Sequence, residues 1–503
     1  MGLFGSERGI GRGEVAESRI EAPMFAVFML VCSLLLFAQH LYFGNGSVTA
    51  ALAVSLMVFG TTVVRVEVGL YILVIAMLLS PEIDAGDALT GERRLNLRYD
   101  DLLIIVIFMG VMVKLAFEGK LTLWQPSPIN WGIVVFYSVC IISTLLAWER
   151  ALGAWDPRTA LFTMLKMLQY YLLFWLVGQT VHTYKDLRTL LTLFFATAMI
   201  VSCYAIYTIG TLPRVSAPFE QGGTEPNTLG GYLVICMSVA LGLLSQAPKW
   251  RHRLVFLTII FLCALPMLYT LSRASYIATV VSATIVAIVS RRFGLLALLA
   301  LVLLASPLFM PDVVKERVLY TFDVGGEKVV INGQETSLVV DKSTNERILV
   351  WRKVRYLLGV APIFALFGGG VSWESVLDSQ YARVILETGL VGLAAFLFLQ
   401  AMLLRSTREA YRWTENWVGR GLAMGMFAAT LGLVAHSTGT ISFLIVRIMQ
   451  PYWLLIALTV FVRNEAIARH TARFVAQQAQ AAMDRGSTQQ PVPMRTPRRR
   501  YVS

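Results

Sequence analysis

Residues 249–292 read KWRHRLVFLTIIFLCALPMLYTLSRASYIATVVSATIVAIVSRR, and this stretch decides the class of fold. Two apolar runs, near 253–271 and 274–290, are separated only by the turn Leu271-Ser272-Arg273-Ala274-Ser275. Each is close to the roughly 20 residues that a helix needs to cross a bilayer core. Inside lipid the backbone must satisfy its own hydrogen bonds, so such runs become helices. A helical hairpin returns its outer ends to one side of the membrane. Those ends carry Lys249, Arg251, His252 and Arg253 at the start and Arg291-Arg292 at the finish. Basic loops collect in the cytoplasm, so the Ser272-Arg273 turn is expected to face outward.

The same pattern extends through the chain. Apolar runs near 23–43, 47–64, 66–81, 101–118, 129–147, 160–181, 187–210, 228–246, 253–271, 274–290, 294–310, 380–404, 418–438 and 441–462 give about fourteen candidate spans. The expected fold is an all-α polytopic membrane protein with about 12–14 transmembrane helices and one large periplasmic loop. With 56% hydrophobic and 15% charged residues, the 503-residue chain is not an ordinary soluble globule. Its expected parts are a cytoplasmic N-terminal segment (1–22), spans over 23–310, the large loop (311–378), the last spans (379–462) and a basic cytoplasmic tail (463–503). The first run follows a mixed-charge segment and is too long for a signal sequence, so it reads as an uncleaved span. Lys120, Lys185, Arg405, Arg408 and Arg412 fall in cytoplasmic turns under this scheme, while Arg93, Arg94 and Arg98 fall outside against the trend.

Within the large loop, Lys328 to Gln334 reads as a hairpin around Asn332-Gly333, a pair suited to a type I′ turn. Asn345 to Leu358 reads as an amphipathic helix lying along the outer membrane surface, with Ile348, Trp351 and Val354 among basic residues. From Asn464 the tail is Ala/Gln-rich and then Pro/Arg-rich, which predicts partial disorder. Much of the +12 net charge sits in short loops and in Arg495, Arg498, Arg499 and Arg500, suiting an anionic membrane surface. No nucleic-acid motif accompanies that charge. The five cysteines lie inside apolar runs without metal or disulfide spacing, and read as buried, inert thiols. Neither a metal-protease, a nucleophile-elbow nor a nucleotide-binding motif occurs, so no cofactor and no metal are expected.

Four constellations carry candidate chemistry. Arg214 precedes Glu225-Pro226-Asn227-Thr228-Leu229-Gly230-Gly231, where an outer loop enters a span. Arginine presents a planar fork to phosphate oxygens, and a helix start favours anions. The competing reading is a loop arginine bonded to carbonyls. Arg273 stands in the outward turn, either contacting a ligand or capping and snorkelling. Arg347, Trp351 and Arg352 precede Asp378-Ser379-Gln380-Tyr381, which places an acid at the mouth of a span. Asp378 is a candidate general base, or a helix cap. Lys166 and Arg447 lie about two turns inside spans, depths at which ionisable groups usually face a partner or a cavity. Snorkelling is the alternative for both.

Taken in order, Arg214, Pro226-Asn227, Ser272-Arg273, Arg347 with Trp351, Gly368-Gly369-Gly370, Asp378-Ser379-Gln380-Tyr381 and Glu387-Thr388-Gly389-Leu390-Val391-Gly392 resemble the O-antigen ligase and Wzy-type polysaccharide polymerase superfamily of bacterial inner membranes. The resemblance covers roughly residues 160–405. It implies a GT-C-type, metal-independent glycosyltransferase whose donor is a glycan on undecaprenyl diphosphate. Arg214 and Arg347 then correspond to the loop arginines that hold the diphosphate, with Arg273, Glu225, Asn227, Lys166, Arg447, Arg352 and Tyr381 as further binding candidates. Ligases carry a functional histidine where this chain has Asp378, which favours a polymerase. Membrane lipids, a chain-length regulator and a flippase are the partners this implies. A ligase acting on lipid A–core or protein, and a lipid-oligosaccharide transporter, are the rival expectations.

Overall fold

The computed structural model describes residues 46–83, 97–119, 126–150, 155–212, 214–218, 225–292, 327–331, 334–340, 342–373 and 378–484, with isolated positions between 294 and 315. The expected spans at 23–43 and 294–310, the Asn332-Gly333 turn, Arg93-Arg94 and the Arg495–Arg500 run fall outside these residues or almost entirely so.

The described chain is mainly helical. In order it forms α1 (Gly46–Val64), α2 (Val66–Leu79), α3 (Tyr99–Phe117), α4 (Asn130–Glu149), α5 (Pro157–Thr180), α6 (Tyr184–Tyr207), α7 (Pro226–Gln246), α8 (Trp250–Tyr269) and α9 (Arg273–Val289). After a gap come α10 (Lys342–Val360), the short α11 (Pro362–Phe367), α12 (Gln380–Trp413), α13 (Trp417–His436) and α14 (Val446–Asp484). Between α2 and α3, the two-residue strands β1 (Glu82–Ile83) and β2 (Leu97–Arg98) pair antiparallel. Ahead of α10, β3 (Glu327–Ile331) and β4 (Gln334–Val340) form an antiparallel hairpin with Ile331 opposite Gln334.

Among the described residues, eight helices, α4 to α8 and α12 to α14, are long and apolar enough to cross a membrane; α2, α9 and Leu52–Val64 are shorter apolar helices. The starts of several are written locally. Asp156 caps α5 by accepting from the N–H groups of Arg158 and Thr159, with Pro157 at the first helical position. The Thr159 hydroxyl, donating at 2.6 Å, holds the Asp156 carboxyl below the usual range. Thr183 and Asp186 make a capping box at α6, and Asn416 caps α13.

Helix α7 is the axis of the bundle and is buried along almost its whole length. It crosses α13 at glycines. A Cβ on Gly242 would lie 2.3 Å from the Gly421 carbonyl oxygen and 2.6 Å from the Gly425 nitrogen. Small residues let helices approach this closely, and dispersion between them replaces the hydrophobic drive that lipid cannot supply.

Four expectations need correction. The span expected at 380–404 is interrupted: Gly389 has φ +70° and ψ −168°, which splits α12 into two helical segments. A Cβ there would lie 2.2 Å from the Leu366 carbonyl carbon, so glycine is required for both conformation and space. The carbonyls released by the break are taken up by neighbours. The Gly369 and Gly370 N–H groups donate to Leu386 and Glu387 at 2.8 and 2.9 Å, and the Ser143 hydroxyl lies 2.6 Å from the Glu387 oxygen. Non-helical backbone in a spanning segment is tolerated only where protein covers it, as the Gly368-Gly369-Gly370 segment does here.

The last span begins at Val446 rather than 441, because 437–445 forms an irregular, partly buried loop. Its Ser, Thr and Gly residues bond locally in competition with a helix. That same helix continues to Asp484, past the point where disorder is expected. Ala and Gln are good helix formers. The extension is also tied to the end of α12 and the residues after it by Arg463–Glu409 at 2.5 Å and Arg473–Glu415 at 2.6 Å. Finally, Cys140, Cys236 and Cys263 are buried, but Cys203 is exposed on α6.

Helix α10 has two faces. Val354 packs on Phe364, Ala382, Ile385 and Leu386, which joins α10 to the first segment of α12. Leu349, Trp351 and Tyr356 are exposed.

Candidate functional site

The ends of α6, α7, α8, α9, α12 and α13 meet around a small group of arginines. Arg214, in the loop after α6, donates from Nε to the Thr270 carbonyl at 3.0 Å and from Nη2 to the Leu271 carbonyl at 3.2 Å. The neighbouring Val215 N–H donates to Tyr269 at 3.1 Å. Two donors of Arg214 therefore fasten its loop to the α8–α9 turn. This is the carbonyl-bonded arrangement that competes with ligand binding in the sequence. The turn it fastens delivers Arg273, half-buried, as the first residue of α9.

Arg347 approaches the same place from α10. Its Nη2 donates to the Gly439 carbonyl at 3.2 Å and lies 3.8 Å from Asp378 Oδ2. Gly439 in turn packs on the α9 start: a Cβ there would be 3.0 Å from the Ala274 Cβ and 3.7 Å from Arg347 Nη2. The site thus brings Arg347 and Asp378 together beside the start of α9, the helix that Arg273 opens. The Arg347 Nε is buried and has no hydrogen-bond partner among the described residues.

Asp378 is half-exposed, at 50% for its side chain against 29% for Arg347. An ion pair this long and this exposed contributes little to stability. Asp378 caps nothing in the described contacts. Ser379 occupies the N-cap position of α12 without a side-chain cap bond, and its buried hydroxyl has no partner. Chemically, the arrangement is an arginine fork with an unfilled donor and a loosely held carboxylate that an incoming anion can displace.

The other candidates are distributed as follows. Glu225 is exposed at the start of α7, where it accepts from the Thr228 hydroxyl at 2.9 Å; Asn227 is half-buried two residues on. Arg352 is half-buried on α10, beyond Arg347. Tyr381 turns into the protein, its hydroxyl donating to the Val434 carbonyl at 2.7 Å and its ring meeting Phe396 edge-on. Lys166 gives its ammonium group to Asp101, within a buried polar cluster. In that cluster Gln450 Nε2 donates to Asp100 Oδ2 at 2.7 Å and the Ser80 hydroxyl bonds the same carboxylate. Lys166 thus serves the junction of α3, α5 and α14 rather than the arginine site. The reason is a burial cost: Asp101, 1% exposed, needs a counter-charge. Arg447 is buried at the start of α14, one turn before Gln450.

Several residues at the site escape a reading of the sequence. Gly439 is one. His436 is another, fully buried between the Ser275 and Ser442 hydroxyls at 2.9 and 2.7 Å. Gln380 grips the 437–445 loop twice, through its own N–H to Ser437 at 3.0 Å and by accepting from the Phe443 N–H at 3.2 Å. Below the mouth, Arg383 and Glu387 form a buried pair at 2.8 Å on the first segment of α12. The polar run Ser437-Thr438-Gly439-Thr440, interrupting apolar sequence, is the signal that marks the loop. Nothing local marks its contacts.

Among the described residues, no group of three or more His, Cys, Asp or Glu is placed to hold a metal ion. No protein-family model matches the chain, and no curated protein matches it either.

Proposed function

We propose that this protein is a polysaccharide polymerase that extends a glycan carried on undecaprenyl diphosphate at the periplasmic face of a bacterial inner membrane. The observation that carries this reading is Arg347, half-buried with an unfilled donor, beside Asp378 and the α9 start that bears Arg273. A hydroxyl of the incoming lipid-linked repeat attacks the anomeric carbon of the growing chain. The bond from that carbon to the diphosphate oxygen breaks, and the hydroxyl proton passes to Asp378. Negative charge gathers on the departing undecaprenyl diphosphate, opposite Arg347 and Arg273. Preorganised donors aimed at developing charge are commonly the largest catalytic contribution. Arg214 acts mainly by holding the α8–α9 turn, and Glu225 is the alternative candidate base.

A polymerase and a ligase differ in what accumulates without them. Deletion of a polymerase leaves single repeats on the lipid carrier, and any separate ligase still attaches them. Deletion of a ligase leaves long chains on the carrier, and that result would remove this reading. A flippase and a chain-length regulator are the partners such a pathway supplies.

Orientation has its own test. Cysteine at Gly333 is expected to react with an impermeant thiol reagent in cells with a permeabilised outer membrane, and cysteine at Gln490 is not. Labelling the other way round would put the arginines in the cytoplasm, where this reaction has no place.

A further inference from the structure

We infer that His436 is a positioning residue for Arg347, acting through a one-way hydrogen-bond relay from Ser442 to Ser272 that fixes the Gly439 carbonyl against the start of α9. The inference rests on the reading of Arg347 as a diphosphate ligand.

The direction of the relay follows from counting protons. The Ser275 hydroxyl donates to the Ser272 oxygen at 2.8 Å, and Ser272 is the residue that caps α9. A hydroxyl has one proton to give, so Ser275 must accept from its other neighbour, His436 Nε2, at 2.9 Å. The imidazole therefore carries its proton on Nε2. Its bare Nδ1 must then accept, and the Ser442 hydroxyl at 2.7 Å is the donor. Every polar atom of the buried ring is thereby satisfied, and one tautomer is selected by its partners.

The placement of the relay gives it a purpose. His436 and Ser442 stand three residues on either side of Gly439 in the sequence, so the ring pins both ends of the bend whose carbonyl accepts from Arg347. At the other end, Ser272 and Ser275 bracket Arg273 and Ala274, and Ala274 is the residue Gly439 packs against. One chain of four side chains thus sets the spacing between the two arginine-bearing elements. The start of α7 closes the space around it. A Cβ on Gly230 would lie 2.0 Å from the Ser275 oxygen, and one on Gly231 would lie 3.2 Å from His436 Cε1. The Gly230-Gly231 pair makes room for this relay.

The test compares wild type, His436→Phe, Ser442→Ala, Ser275→Ala and Arg347→Ala in nanodiscs, using glycan-free undecaprenyl diphosphate as the binding probe and lipid-linked repeats for turnover. His436→Phe and Ser442→Ala are each expected to raise Kd about tenfold. Adding either change to Arg347→Ala is expected to cause no further loss, because a residue that acts only through Arg347 has nothing to act through once Arg347 is gone. Additive losses, or an unchanged Kd in both relay variants, would overturn the inference. Should His436→Phe not accumulate, Ser442→Ala carries the same comparison. The tautomer supplies a readout independent of function. ¹⁵N-histidine spectra are expected to show His436 with Nε2 protonated and Nδ1 bare, a pattern lost in Ser275→Ala. A proton on Nδ1 would refute the relay. Wild-type protein that binds no lipid diphosphate while showing the expected tautomer would instead refute the functional reading.

Discussion

Replacing Arg347 with alanine is expected to lower polymer synthesis by about 10²–10³-fold, the usual cost of losing one preorganised donor to developing negative charge. The side chain is half-buried, fixed by the Gly439 carbonyl, and retains an unused Nε–H. Its loss therefore removes a donor already paid for in side-chain entropy. Arg347→Lys keeps the charge and loses the fork, so it is expected to recover only part of the activity. Asp378→Asn distinguishes a base from an ion-pair partner. As a base, Asp378 is required and asparagine abolishes turnover. As a mere partner at 3.8 Å, its loss frees Arg347 and leaves turnover intact or raised. The measurement is chain synthesis by purified protein on lipid-linked repeats, at matched protein level and thermal stability. Full activity of Arg347→Ala would end the proposed mechanism.

Glu387→Ala is expected to be the most damaging single substitution for folding. Arg383 and Glu387 face each other at 2.8 Å, with side chains 10% and 8% exposed. Their surroundings include Phe136, Cys140, Met167, Val384, Phe396 and Phe443. Removing one member of a buried pair leaves an uncompensated charge and typically costs about 3–5 kcal/mol. That is comparable with much of the whole stability of an ordinary domain, about 5–15 kcal/mol. The protein is expected to accumulate poorly or to melt far below wild type. Replacing both residues together, Arg383→Met with Glu387→Leu, removes both charges at similar volume and is expected to restore most of the stability. Thermal unfolding of detergent-solubilised protein reads the difference. A double variant no more stable than Glu387→Ala would show that the pair is not what the single change disrupts.

The sequence by itself determined that the chain is mainly helical, with helices long and apolar enough to cross a membrane, because burial in lipid imposes a length and an apolarity that no other environment requires. It also marked the β3–β4 hairpin through Asn332-Gly333, and α10 through its alternation of apolar and basic residues. Helix starts at Asp156, Thr183, Ser272 and Asn416 are fixed locally, because a cap acts on backbone two or three residues away. What lay beyond its reach is contact between distant segments. Lys166 looked like a ligand arginine's companion until Asp101, 65 residues earlier, was found holding it. Gly389 read as one residue of the Glu387-Thr388-Gly389-Leu390-Val391-Gly392 motif within an expected span. Its helix breaks where the Gly369 and Gly370 N–H groups fold back to donate to the freed Leu386 and Glu387 carbonyls, and no pattern around Gly389 states that they will. No motif around His436 names its partners. Its partner Ser275 lies 161 residues away, and Arg347 meets Gly439 across 92. Hydrophobic periodicity is a local property that sequence displays directly, whereas a buried polar group is defined by the partner that satisfies it, and only tertiary packing chooses that partner.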